Sequence, residues 1–185
     1  MNYYLLFWLM ALAQGSPYGA PQSACATMMP GHGFNPQNGT SPFIVIPLTS
    51  DIMQNSFVPI GLSSLSSDDF KGFLIMAFSN SSRQPIGKFS IEADGQSMSC
   101  FNGTDNAATH SINNDKSWVM LNWMPPYNFV GSVRFRTTFV KNASHYWVGI
   151  ESDPVEVIPL FIPSSAGHFS PSLGLALLIL IVGMF

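Results

Sequence analysis

Three of the four histidines, His32, His110 and His145, with two of the ten acids, Asp105 and Asp115, are the strongest candidates in this sequence for metal binding or proton transfer. They are scattered, and histidines so placed are read as hydrogen-bonded structural groups or surface residues rather than ligands. Asp68-Asp69 supplies two acids before Phe70, whereas a dedicated calcium site takes about six to eight oxygens, so a solvated turn is expected there. Acid-base and nucleophilic catalysis need a positioned base beside a nucleophile, or paired carboxylates. The chain has no GxSxG, no HExxH and no Gly-rich phosphate loop. No enzymatic activity, metal or cofactor is expected.

Covalent chemistry of another kind is better represented. Cys25 and Cys100 are the only cysteines. An even pair in an oxidising compartment most often forms one bridge, the alternative being two free buried thiols. No Cys/His spacing suggests zinc. Four acceptor sequons begin at Asn38, Asn80, Asn102 and Asn142, each flanked by turn-forming residues, and a glycosylated loop must face solvent.

The compartment is suggested by both ends. Tyr3 to Ala13 is an apolar run ending in Ala11-Leu12-Ala13, the small-x-small pattern of a signal-peptidase site, so residues 1–15 read as a signal peptide cleaved after Ala13 or Gly15. The usual basic start is missing, which leaves an uncleaved anchor as the alternative. At the other end Leu173 to Phe185 is a thirteen-residue stretch without charge. At about 1.5 Å per residue it spans about 20 Å of a hydrocarbon layer about 30 Å thick. Preceded by Ser164, Ser165, Ala166 and Gly167, it reads as a glycosylphosphatidylinositol signal within residues 163–185, with Ser164 the expected attachment residue. Its spacer, Gly167 to Ser172, is shorter than the usual about 8 to 12 residues, so a retained transmembrane or interfacial tail is the competing reading. The expected location is the outer face of the plasma membrane, held by a lipid anchor, with secretion as a further alternative.

Residues 16–162 then form one domain of ordinary size. Seven basic and ten acidic residues, without runs, build no electrostatic footprint for nucleic acid. Charged residues are 9% of the chain against about 25% in an average soluble domain, so other polar groups, attached sugar among them, must keep the surface wet.

The elements that would position these groups are short apolar runs separated by Gly, Pro, Asn and Ser, the pattern of an all-β protein. Strands are expected at 43–48, 72–78, 88–92, 117–123, 131–140, 145–151 and 155–162, and about seven or eight of them fit a sandwich. In "GSVRFRTTFV" Val133, Phe135, Thr137 and Phe139 share one face; Arg134, Arg136 and Thr138 share the other, which should meet water. Antibody-type order is absent, because both cysteines precede Trp118 and Trp123. Trp118, Trp123, Tyr127 and Trp147 are candidate anchors of a recognition surface, as aromatics often are. Alternation puts Trp118 and Met120 opposite Val119, Leu121 and Trp123. One set therefore needs cover beyond the main core, from the disulfide-pinned N-terminal segment, a partner or sugar, the first being expected.

The segments "YGAPQSACATMMPGHG", "FKGFLIMAF", "IGKFS", "ATH", "KSWVMLNWMPP", "GSVRFRTTFV" and "YWVGIES" resemble, in order and spacing, the reeler (reelin N-terminal type) domain from about Ser16 to Ser152. The resemblance implies an immunoglobulin-like antiparallel β-sandwich and supports a Cys25–Cys100 bridge. Phe78 departs from the pattern, since many relatives carry arginine there. Such domains occur in neuronal matrix glycoproteins, in ferric-chelate reductases and alone in small secreted invertebrate defence proteins, and this chain is most similar to the last. Two readings follow. One is a non-enzymatic cell-surface glycoprotein binding a microbial, matrix or cell-surface ligand; the other is a structural or adhesive coat glycoprotein with no discrete ligand site. A binding module should carry a contiguous apolar or aromatic patch free of sequons.

Overall fold

Strands with one apolar side must bury that side against another layer, and here two sheets do so face to face. The computed structural model describes residues 16–160. They form a single 3-10 turn, Gln22–Cys25, and eleven strands: β1 Phe43–Pro47, β2 Asp51–Met53, β3 Val58–Ser64, β4 Gly72–Ser79, β5 Lys88–Ile91, β6 Gly95–Met98, β7 Ala107–His110, β8 Trp118–Met124, β9 Gly131–Asn142, β10 His145–Glu151 and β11 Val155–Ile158. The first sheet runs β1-β3-β8-β5 and the second β2-β11-β9-β4-β7-β6, with β10 also paired to β9. All pairings are antiparallel except β2 with β11, which is parallel. The sandwich expected from the sequence is present, with more strands than the seven or eight expected.

Between the sheets Val45, Ile60, Leu62, Leu121 and Trp123 from the first meet Phe73, Ile75, Phe135 and Phe139 from the second. Aromatic rings fill the middle: Phe43 lies 5.4 Å from Phe70 and 5.5 Å from Phe139, and Trp123 sits edge-on to Phe135 at 5.4 Å. β9 is the long central rib. Along one side it pairs with β4 from Val133 to Val140; along the other, β11 takes its beginning and β10 its end.

The second sheet is covered on its outer side as well. β4 is buried at Leu74 and Met76 as well as at Phe73 and Ile75, which explains why "GFLIMAF" is an unbroken apolar run, as for any strand buried on both faces. The outer cover is the N-terminal strap, residues 16–37. Ala24, Cys25 and Met28 pack on Leu74 and Met76, and the Cys25–Cys100 disulfide, with Cα atoms 5.5 Å apart, locks the strap to the segment after β6. Hydrogen bonds fasten the rest: the Ala20 N–H donates to Thr109 Oγ1 at 2.9 Å, Gln96 Nε2 to the Tyr18 carbonyl at 2.6 Å, Thr138 Oγ1 to the Met28 carbonyl at 2.7 Å, and the Gln37 N–H to the Tyr146 carbonyl at 2.9 Å.

This strap corrects one expectation for β9. Arg134 and Arg136 are exposed as alternation demands, but Thr138, on the same face, is buried beneath Met28. The last expected strand is also shorter, ending at Ile158 ahead of Pro159, whose missing N–H cannot extend a ladder. The signal segment, Ser164 and the apolar tail lie outside the described residues.

The bridge closes a loop of 75 residues, which in the chain-entropy model stabilises by about 4 kcal/mol. A Cys25→Ser variant is expected to lose stability of that order in urea unfolding, to bind a hydrophobic dye through bared Leu74 and Met76, and to be secreted less. A loss below about 1 kcal/mol would mean that hydrogen bonds alone hold the strap.

Candidate functional site

Two surfaces follow from this asymmetry. The first lies where the strap meets the second sheet, which leaves a cleft of about 520 Å³ between Pro17, Met28, His32, Phe73, His110 and Val140. His110 is buried at its inner wall. Its Nδ1 accepts the Phe73 N–H at 3.3 Å, so Nε2 carries the proton and donates to the Ser16 carbonyl at 3.2 Å. Thr109 beside it donates to the Phe73 carbonyl at 2.7 Å. Burial, the main cause, holds the His110 imidazole below its usual pKa, and the positive charge of Lys116 adds to it. His32 shares the cleft and meets Tyr146 edge-on at 6.1 Å.

The cleft is largely apolar, and of its described polar side-chain atoms only His32 Nδ1 is buried without a hydrogen-bond partner. Both ring nitrogens of His110 bind backbone, and the Thr138 hydroxyl holds Met28. No base is paired with a nucleophile here. The remaining residues of the histidine and acid set lie apart. His145 Nδ1 is 3.1 Å from Asn142 Oδ1 at the β9–β10 turn, Asp105 accepts Ser97 Oγ at 2.8 Å, and Asp115 stands 3.5 Å from Lys71. Asp68 is paired with Lys141 at 2.8 Å. Among the described residues no three of His, Cys, Asp or Glu gather as a metal site. Lys116, missed by the sequence reading, is a structural cation: nearly all of it is buried, its Nζ donates to the carbonyls of Lys71, Ile112 and Asn114, and burial lowers its pKa.

The second surface is the outer face of the first sheet, which no part of the strap covers. Register sets its residues in rows: Ile44, Ser63 and Trp118; Ile46, Gly61 and Met120; Pro59, Asn122 and Ser90; then Met124 beside Lys88. Trp118 is 44% and Met120 40% exposed. Gly61 provides the seat on which the Trp118 indole lies, since a Cβ there would fall 2.3 Å from the ring. Lys88 is the only charge in these rows.

The four candidate aromatics are therefore not one surface. Trp118 is on the open face, and Tyr127, 82% exposed, stands on the β8–β9 connection. Trp123 is fully buried, its Nε1 donating to the Ile86 carbonyl at 2.9 Å, and no ligand can reach it. Trp147 packs on the core edge-on to Phe43 at 5.4 Å. The expected intramolecular cover of the Trp118 face is also corrected: the strap goes to the other sheet, because Leu74 and Met76 lie there and Cys100 fixes the anchor point. Phe78 is half-buried, with the Arg136 guanidinium 4.8 Å above its ring.

All four sequon asparagines are exposed. Asn80, Asn102 and Asn142 follow or end β4, β6 and β9 of the second sheet. Asn38 adjoins Gln37, which is bonded to Tyr146 and Ser144 beside β10. None stands on the Trp118 face.

The chain is thus a disulfide-strapped, two-sheet β-sandwich with one bare apolar face. The family match is to the reeler domain, over residues 23–159, and the chain belongs to that family. A Drosophila melanogaster protein named as a homolog of ferric-chelate reductase 1 is 36% identical over 152 residues, covering 78% of this chain; the chain spans 24% of that protein. Two proteins named for a defence role match over nearly their whole length. Hdd11 of Hyphantria cunea is 33% identical, covering 80% of this chain and 93% of its own, and defense protein 3 of Antheraea mylitta is 33% identical, covering 80% and 91%. Among solved structures, the human F-spondin reeler domain superposes with a TM-score of 0.55 at 17% identity, covering 68% of this chain and 94% of that one, a likeness of fold.

His110 should make the strap acid-sensitive. Its folded pKa is depressed below the unfolded value of about 6.5, so the folded state binds fewer protons, and stability falls as pH drops from about 6.5 through the folded value. Thermal unfolding between pH 7.5 and 5 should show a steeper loss for the natural chain than for His110→Gln, which starts lower. Equal slopes would assign the acid sensitivity to other groups.

Proposed function

We propose that this chain is a non-enzymatic recognition module of the extracellular surface, acting in innate defence and displayed on the membrane by a lipid anchor at Ser164. The observation that carries this reading is the bare, nearly uncharged face of Ile44, Ile46, Trp118 and Met120, with every sequon directed elsewhere. Sugar on Asn38, Asn80, Asn102 and Asn142 would keep the rest of the module solvated while leaving that face open. Aromatic and methionine side chains suit such a face, since both supply large contact areas and methionine adapts to its partner. Two near full-length relatives named for defence support the choice of role, and the disulfide suits an oxidising compartment.

Animal cells expressing the full chain should release it on treatment with a phospholipase that cleaves the lipid anchor, and persistence on the cell would favour a retained tail. The released protein should bind at least one surface in a panel of microbes and host matrix. Trp118→Ala with Met120→Ser should weaken that binding at least about tenfold, the loss expected of central interface anchors, with unfolding unchanged to within about 0.5 kcal/mol. Binding that survives the double substitution would remove the Trp118 face from the proposal, and no binding anywhere would favour a coat role.

A further inference from the structure

All three arginines of the chain line one cleft. Arg134 and Arg136 stand two apart on β9, so both project from the outer face of the second sheet, and Arg83 joins them from the β4–β5 connection. The cleft has a volume of about 460 Å³, with Phe78 in its wall, Ser79 and Ser82 nearby, and Glu151 as its only acid. Three guanidiniums against one carboxylate leave it doubly positive within a chain of net charge −3. A concave site of one sign focuses the field on an incoming anion.

Two of the arginines are pre-oriented. Arg136 donates from Nε and Nη2 to one oxygen of Glu151, at 3.0 and 2.8 Å, while lying over the Phe78 ring. Arg134 Nη1 donates to the Ser152 carbonyl at 3.0 Å. Each guanidinium carries five N–H donors, so both keep donors for a ligand. Arg83 is exposed and makes no ion pair among the described residues. Stability explains little of this gathering, because exposed ion pairs contribute little, and one glutamate does not call for three arginines.

A planar guanidinium fork matches paired oxygens of carboxylate, phosphate and sulfate alike. We infer that the cleft is a subsite for one oxyanion group, a carboxylate, phosphate monoester or sulfate ester, carried by a sugar-sized ligand. The volume lies within the range of small-ligand pockets, about 300–1,000 Å³. Glu151 limits the site to a compact anion, since a second negative charge extending along β9 would meet its carboxylate. Asn80 also lines the cleft, so sugar attached there would stand at its rim.

The test is titration of the full protein from animal cells with methyl glucuronide, glucose 6-phosphate and glucose 6-sulfate, with glucose as the neutral control, on both the natural chain and Asn80→Gln. Saturable one-to-one binding is expected for at least one anionic sugar and none for glucose, and the ranking of the three identifies the oxyanion. Arg83→Ala, at a position on which the fold makes no demand, should weaken binding about tenfold or more. Glu151→Gln should strengthen it, which a merely structural arginine cluster does not predict. Lys88→Ala removes the same charge from the other sheet and should leave affinity unchanged, as should Trp118→Ala. The inference is overturned if Lys88→Ala weakens binding as much as Arg83→Ala, if Glu151→Gln weakens it, or if no anionic sugar saturates either form of the protein.

Discussion

The fold depends on covering the outer side of β4. Leu74 and Met76 point away from the space between the sheets, and left bare they would add a second apolar face to a small domain. The strap of residues 16–37 removes them from water, and the Cys25–Cys100 bridge makes the cover part of the fold rather than a segment that docks and leaves. Much else follows from this cover. Thr138 turns inward to hold Met28, His110 is desolvated at the seam, and the cleft beside it exists because an irregular segment cannot match a pleated sheet everywhere.

Once the strap is spent on one sheet, the other has none. The two outer faces thus differ in kind. The second sheet carries the strap, the arginine cleft and the strand ends from which three sequons leave; the first presents flat rows of Ile44, Ile46, Trp118 and Met120. A wide apolar face is the kind of surface that meets a broad partner, and a concave cationic cleft the kind that takes a compact anion; at the β1 edge of the first, Ile44 and Ile46 also line a cleft of about 490 Å³ with Ile150 and Asp153. The two outer faces therefore differ in chemistry, one apolar with Lys88 at its edge, the other cationic around Arg83, Arg134 and Arg136.

Much of this was legible in the sequence. Six of the seven expected strands are found within a residue or two of their expected bounds, because "FIVIPL", "GFLIMAF" and "GSVRFRTTFV" are long enough for burial to leave a pattern. The missed strands lack that signal. β2 has three residues, β6 is the polar edge "GQSM", β7 is made of small residues, and β3 contains Pro59 and Gly61, which read as breakers. Alternation in "SWVMLNW" separated Trp118 from Trp123 correctly but carries no sign for inside and outside. Only the position of β8 between β3 and β5 decides that Trp123 faces the core. The arginine cleft was hidden for another reason: Arg83 lies far along the chain from Arg134, and the pairing of β4 with β9 brings them together.

With so few charges, the placement of each cation carries information. Lys116 is withdrawn into the interior to tie three carbonyls, a cost in desolvation that those hydrogen bonds offset. Lys71 and Lys141 stand beside Asp115 and Asp68 near the ends of β4 and β9. Lys88 marks the edge of the open face. The three arginines remain, and all three share one cleft. A chain using charge only for solubility would scatter it; this one leaves a whole sheet face nearly neutral while concentrating its guanidiniums on the other. Solvation of the module then falls to hydroxyls, amides and whatever the exposed asparagines carry, which is why the direction of the sequons, away from Trp118, matters more here than in a protein with an ordinary share of charge.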